Sequence, residues 1–118
     1  MSLPEELRER TKKFALRVIR LFQALPKTAE AQILGKQLLR CGTSVAANYR
    51  ATCRARSKAE FVARLGIVAE EADESVLWLE MLGEAGILKH ERLAEIMKEA
   101  RELVAIFSTS LKTAKGNK

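Results

Sequence analysis

Four cations crowd the stretch "YRATCRARSK": Arg50, Arg54, Arg56 and Lys58, with Arg64 following shortly after. Arg50 and Arg54 are four apart and share a helix face, while Arg56 and Lys58 fall in the next turn. A second basic strip, Lys12, Lys13, Arg17 and Arg20, lies near the start of the chain, and 13, 17 and 20 share a face. Guanidinium forks and ammonium charges suit phosphate backbones, and neutralising phosphates releases counterions. The expected chemistry is therefore electrostatic, sequence-tolerant binding of RNA or DNA. Tyr49 is the only aromatic near the arginines, which argues against base-specific reading of single strands. The competing reading is a solvated face whose charges pair with Glu70, Glu71, Asp73 and Glu74.

Just before the arginines, Asn48 falls between Val45 and Thr52 at a position that the local spacing makes apolar. A buried amide without partners costs about 1–3 kcal/mol, so Ser44 and Thr52 on its own helix, or Ser75 or Glu74 on the next, are its candidate partners. Thr52 can also return its hydroxyl to a carbonyl one turn back. Two readings stand: a buried polar group (Asn48, Ser44, Glu74) that fixes helix register, or a ligand site.

Residues suited to enzyme chemistry are sparse. A di-iron bundle needs Glu-x-x-His pairs, but His90 is the only histidine and Ile87 precedes it by three. Gly35-Lys36 and Gly42-Thr43 lack the flanking pattern of a phosphate loop. Cys41 and Cys53, 12 residues apart on one expected helix, would sit about 18 Å apart, beyond disulfide reach. The expectation is two reduced thiols, no metal, no cofactor, no catalytic residues and no enzymatic activity.

These residues must be positioned by helices. The chain has 118 residues, 47% hydrophobic but only 5% aromatic, with two prolines. That favours one helical domain over an aromatic-rich β-sandwich. Four segments repeat apolar residues at alternating spacings of three and four. They are Leu7, Thr11, Phe14, Val18, Leu21 and Leu25; Leu34, Leu38, Cys41, Val45, Asn48 and Thr52; Phe61, Leu65, Val68, Ala72, Ser75, Leu79 and Leu82; and Leu93, Met97, Ala100, Val104, Phe107 and Leu111. Ser2 and Pro4 suit a helix start, Pro26 a stop, and Thr28 and Ser57 caps, with Glu60 completing a capping box. Gly86 suits the left-handed residue after a helix. The predicted helices cover about 3–25, 29–54, 58–85 and 90–112, with a fraying basic tail over 113–118. Short connections make neighbours antiparallel, which gives an all-α, up-down-up-down four-helix bundle.

The net charge of +6 is uneven: residues 1–58 hold 13 Lys/Arg against 4 Asp/Glu, and residues 59–118 hold 8 against 11. Such a split suits an anionic partner for the first half, or two halves that attract one another. "MSLPEE" does not resemble a signal peptide, and no apolar run approaches the roughly 20 residues of a membrane span. A cytoplasmic, non-membrane protein is expected.

The segment "QLLRCGTSVAANYRATCRARSKAEFVARLGIVAEEADESVLWLEML", residues 37–82, resembles the 23S ribosomal RNA intervening-sequence proteins. The likeness lies in Gln-Leu-x-Arg, Ser-Val-x-x-Asn, Arg-Ser-x-x-Glu-Phe and a Glu-x-x-x-Trp-Leu-Glu stretch from Glu74 to Glu80. The flanking "LPKTAE" and the Glu/Leu-rich last helix fit as well. The resemblance implies a ring-shaped homopentamer of four-helix bundles with no catalytic residues. It also implies kinship with the accessory protein of diversity-generating retroelements, which binds nucleic acid beside a reverse transcriptase. The sequence departs from the family after Asn48, with "YRATCRAR" where many members carry "IAEGFGR".

Apolar residues off the seam agree with self-assembly. Leu16, Ile19 and Phe22 on the first helix, and Ile67, Leu77, Trp78 and Met81 on the third, exceed what a lone bundle needs and form the expected oligomer interface. The leading expectation is a non-enzymatic oligomeric scaffold that binds RNA or DNA through Arg50, Arg54, Arg56, Lys58, Arg64, Lys13, Arg17 and Arg20, in the service of another protein. The alternative is a purely protein-interacting homo-oligomer.

Overall fold

The helix boundaries follow from local chemistry. In the computed structural model, which describes residues 2–116, α1 spans Leu3–Gln23, α2 Ala29–Thr52, α3 Lys58–Glu84 and α4 His90–Gly116. The Ser2 hydroxyl accepts the Glu5 N–H at 3.2 Å, Thr28 accepts from Ala31 at 3.3 Å, and Ser57 from Glu60 at 3.1 Å. Each satisfies one of the donors that a helix start leaves free. The reciprocal arm of the Ser57–Glu60 capping box is displaced by one residue, because Glu60 accepts the Arg56 N–H at 3.1 Å. Past α3, Gly86 takes φ +74°, its N–H reaching the Gly83 carbonyl and that of Ile87 the Leu82 carbonyl. This is a Schellman closure, which a side chain at the left-handed position would strain.

The four helices pack up-down-up-down into a body of 48 × 23 × 22 Å. Phe14, Val18, Leu38, Val45, Leu65, Val68, Leu79, Leu82, Leu103 and Phe107 form its solvent-free axis. α1 presses closely on α2 because Gly35 and Gly42, one heptad apart, present no side chain there. A Cβ at Gly42 would lie 2.8 Å from Val18 Cγ2, and one at Gly35 would strike Leu25 and Phe22. Of the neighbouring helices, α1 and α4 meet least closely. Their seam is bridged by Arg10, whose guanidinium donates to Glu99 at 2.7 and 2.8 Å and to Glu102 at 2.9 Å.

The structure adjusts the expected seams at four places. Asn48 is half-buried and Tyr49 takes the core position. Phe61 is 37% exposed, because it lies in the first turn of α3 where the bundle is open-ended. On α4, Ile96 and Leu103 are buried, while Met97 and Val104 are only partly so. An α-helix of 3.6 residues per turn drifts from a strict heptad, and a bundle helix buries a wider stripe than the a/d line. The helix also continues through Gly116, so the expected fraying tail is helical over 113–116, and residues 117–118 lie outside the described residues. No described helix is long and apolar enough to cross a membrane.

Candidate nucleic-acid interface

Antiparallel packing places the α2–α3 turn beside the start of α1 and the end of α4. Arg50 occupies the last turn of α2, Arg54 and Arg56 the turn itself, and Lys58 the first residue of α3. All four are exposed, and among the described residues none forms an ion pair. Arg64 differs: its guanidinium meets Glu60 at 3.0 Å, one turn back. The Arg56 N–H and the Arg64 guanidinium together hold the Glu60 carboxyl below its ordinary range. Arg8 also belongs to this end, since its charge acts on Tyr49. The sequence reading missed it; the up-down topology is the signal that brings the first turns of α1 here.

Tyr49 is not a stacking platform. It is 7% exposed, and its ring sits 5.3 Å from that of Phe107. Burial, with Cys53 as a neighbour, raises its phenol above the ordinary range. The end therefore offers charge without an exposed tyrosine, and Phe61, in the first turn of α3, is the aromatic ring it leaves open beside the phosphate-binding cations.

Lys13, Arg17 and Arg20 do not join this cluster. Arg20 lies about 26 Å along α1 from Leu3, at the opposite end of the bundle. There Arg17 and Arg20 line a cavity with Arg92 instead. The strip along α1 is thus a line down the long side and not an extension of the α2–α3 rim.

Asn48 stays within its own helix. Its amide donates to the Ser44 carbonyl at 3.0 Å and to the Ser44 hydroxyl at 2.7 Å, while Thr52 returns its hydroxyl to the Asn48 carbonyl at 2.8 Å. Glu74 and Ser75 take no part, so the expected buried triad of Asn48, Ser44 and Glu74 does not form. Ser44 is half-buried, and the Glu74 side chain keeps 46% of its exposure.

Glu74 belongs to a different group. Arg40 reaches it at 2.9 Å and Glu71 at 3.2 Å, and the Cys41 thiol donates to Glu74 at 3.1 Å. Burial, followed by that hydrogen bond, pushes the Cys41 thiol up to about 12, while the same bond and Arg40 lower the Glu74 carboxyl. Cys41, Glu71 and Glu74 place ligand atoms within 4.8 Å of one another. A cation there would compete with the Arg40 guanidinium that already pairs with both carboxylates. The competing reading of the sequence paired Glu71 and Glu74 with the rim cations, and Glu74 was also a candidate partner of Asn48; Arg40 was overlooked. The Arg40–Cys41 step opposite two acids one turn apart was the available signal. Both cysteines are free thiols.

The off-seam apolar residues divide. Leu16 (42%), Ile67 (42%), Leu77 (47%) and Met81 (39%) are exposed. Phe22 and Trp78 instead pack against the core, and Ile19 is half-buried. The two aromatics thus present only part of their surface to the expected patch: Phe22 fills the space opposite Gly35. The Trp78 indole nitrogen is buried without a hydrogen-bond partner. Between α3 and α4, beside this surface, a groove of about 750 Å³ is floored by Leu79, Leu93 and Met97.

Known proteins locate this arrangement. The family model described as 23S rRNA-intervening sequence protein matches residues 6–109. A crystal structure of a protein with unknown function from the S23 ribosomal protein family, from Bacteroides thetaiotaomicron VPI-5482, is similar over 92% of this chain and 97% of its own. That similarity has a TM-score of 0.85 at 29% identity. No curated protein matches significantly.

Proposed function

The chain belongs to the 23S rRNA-intervening sequence protein family, and from that premise we propose a non-enzymatic, cytoplasmic scaffold that binds RNA or DNA electrostatically. The observation that carries the reading is the α2–α3 end, where Arg50, Arg54, Arg56 and Lys58 stand exposed with no acidic partner among the described residues. In the middle of the bundle, by contrast, Arg10 and Arg40 are paired with carboxylates. Cations left free at one end raise a local positive potential, which concentrates polyanions and speeds their capture. Phosphate contacts without base contacts give affinity without sequence preference. An accessory role beside another protein accords with this division: the scaffold holds the strand and the partner performs the chemistry.

The proposed working form is a homo-oligomer, a pentamer in the family's manner. Leu77 and Met81, one turn apart on α3, and Ile67 support it, since contiguous exposed apolar surface marks partner contacts. The same residues support a second reading, a purely protein-interacting oligomer with no nucleic-acid role. Anisotropy titrations with a mixed set of RNA and DNA oligonucleotides at low salt separate the two. Binding to all of them with similar affinity is the expected result, and no binding removes the scaffold reading in favour of the second. Leu77→Glu with Met81→Glu should lower the native mass while leaving helicity intact; an unchanged mass excludes this patch as the interface.

A further inference from the structure

We propose that the cavity between α1 and the start of α4 is a binding site for a phosphate monoester, held by Arg17, Arg20 and Arg92. The cavity measures about 250 Å³ and is lined by those three arginines together with Leu21, Leu88 and Ile96. Arg17 and Arg20 stand one turn apart on α1, and Arg92 approaches from the first turn of α4. Among the described residues no acidic side chain lines the space. Among the described residues none of the three arginines forms an ion pair or a side-chain hydrogen bond.

The rest of the same seam shows what is missing. Two turns towards the α2–α3 end, Arg10 is matched by Glu99 and Glu102 from α4. At the cavity three like charges face one concavity with nothing to balance them. Their repulsion is relieved by an anion, and guanidinium forks match the oxygens of phosphate. A monoester carries close to two negative charges at neutral pH, so three guanidiniums favour it over an internal diester with one. Leu21, Leu88 and Ile96 supply an apolar wall that strengthens charge interactions at the opening. The volume lies below the roughly 300–1,000 Å³ of pockets that enclose drug-sized ligands, which suits a head group with a short organic body. This site stands apart from the α2–α3 rim and does not depend on it.

Calorimetric titration of the full chain with inorganic phosphate, at ionic strength held constant with chloride, tests the proposal. Saturable binding is expected, at least tenfold weaker in Arg17→Gln/Arg92→Gln and unchanged in Lys112→Gln, which removes an exposed cation on α4 away from the cavity. Unaltered helical circular dichroism checks that the variants fold, and Arg20→Gln, at an exposed position, should weaken binding by itself. Short DNA with a 5′-phosphate, compared with the same strand ending in a 5′-hydroxyl, identifies the source. Preference for the phosphorylated end assigns the site to strand termini, and equal binding assigns it to free phosphate or a small phosphomonoester. No saturable phosphate binding by the wild-type chain overturns the proposal, as does equal affinity in the double variant.

Discussion

The middle of the bundle and its α2–α3 end hold the same residue types and treat them differently. In the middle, Arg10 lies against Glu99 and Glu102, Arg40 against Glu71 and Glu74, and Arg101 against Glu80. At the end, Arg50, Arg54, Arg56 and Lys58 have no ion-pair partner among the described residues. A count of charges along the chain treats these regions alike. Only the pairing shows that one set of cations joins helices and the other is free to meet something outside.

The largest expected effect breaks the comparison at its free end. Arg50→Ala/Arg54→Ala/Arg56→Ala should weaken oligonucleotide binding by about 10- to 100-fold at low salt, read by anisotropy, with the melting temperature nearly unchanged. A change in the middle should do the reverse. Gly42→Ala drives a methyl against Val18 and should cost about 1–3 kcal/mol, less up to about 1 kcal/mol regained in helix propensity, as read by urea denaturation. Its binding should match wild type.

Arg10→Met sharpens the distinction within the arginines. Glu99 keeps only 18% of its side-chain exposure, so losing its partner should cost about 1 kcal/mol after solvent screening, with oligonucleotide affinity within twofold of wild type. The smallest effect is expected from Glu74→Gln. Cys41 and Arg40 lower the native Glu74 carboxyl, so its contribution is complete above the unfolded value near 4.5 and is lost as pH falls through the native one. The variant should be slightly less stable than wild type at neutral pH and converge on it as pH falls through the native Glu74 value, so that the acid limb of its stability–pH curve is flatter.

The bundle was legible because each helix carries a start signal, a stop or a repeated seam. Ser57 before Phe61, Pro26 after Leu25 and Gly86 after α3 are local chemistry, and local chemistry can be read along a chain. The α2–α3 rim was legible for the same reason, since its cations are neighbours in sequence. What escaped depended on rotation and distance. Whether Asn48 or Tyr49 faces the axis is a matter of about 100° of helix rotation, and the seam spacing fitted both. The partners of Glu71 and Glu74 depended on which α2 residue lies opposite, and Arg40 does. Arg17 and Arg20 look continuous with the rim arginines in a list of charges, yet an antiparallel bundle carries them to its other end. Trp78 and Phe22 read as surplus apolar surface until the close approach of α1 to α2 and the width of the core gave them places packed against its edge.

The central claim is that the α2–α3 arginines are free to bind phosphates. The most direct measurement is the slope of log affinity against log salt for one oligonucleotide, in the wild-type chain and in the Arg50/Arg54/Arg56 triple-alanine variant. The account predicts a steep negative slope for the wild type and one shallower by about 2 to 3 for the variant, because three counterion-releasing contacts are gone. Identical slopes, or binding indifferent to salt, would contradict it.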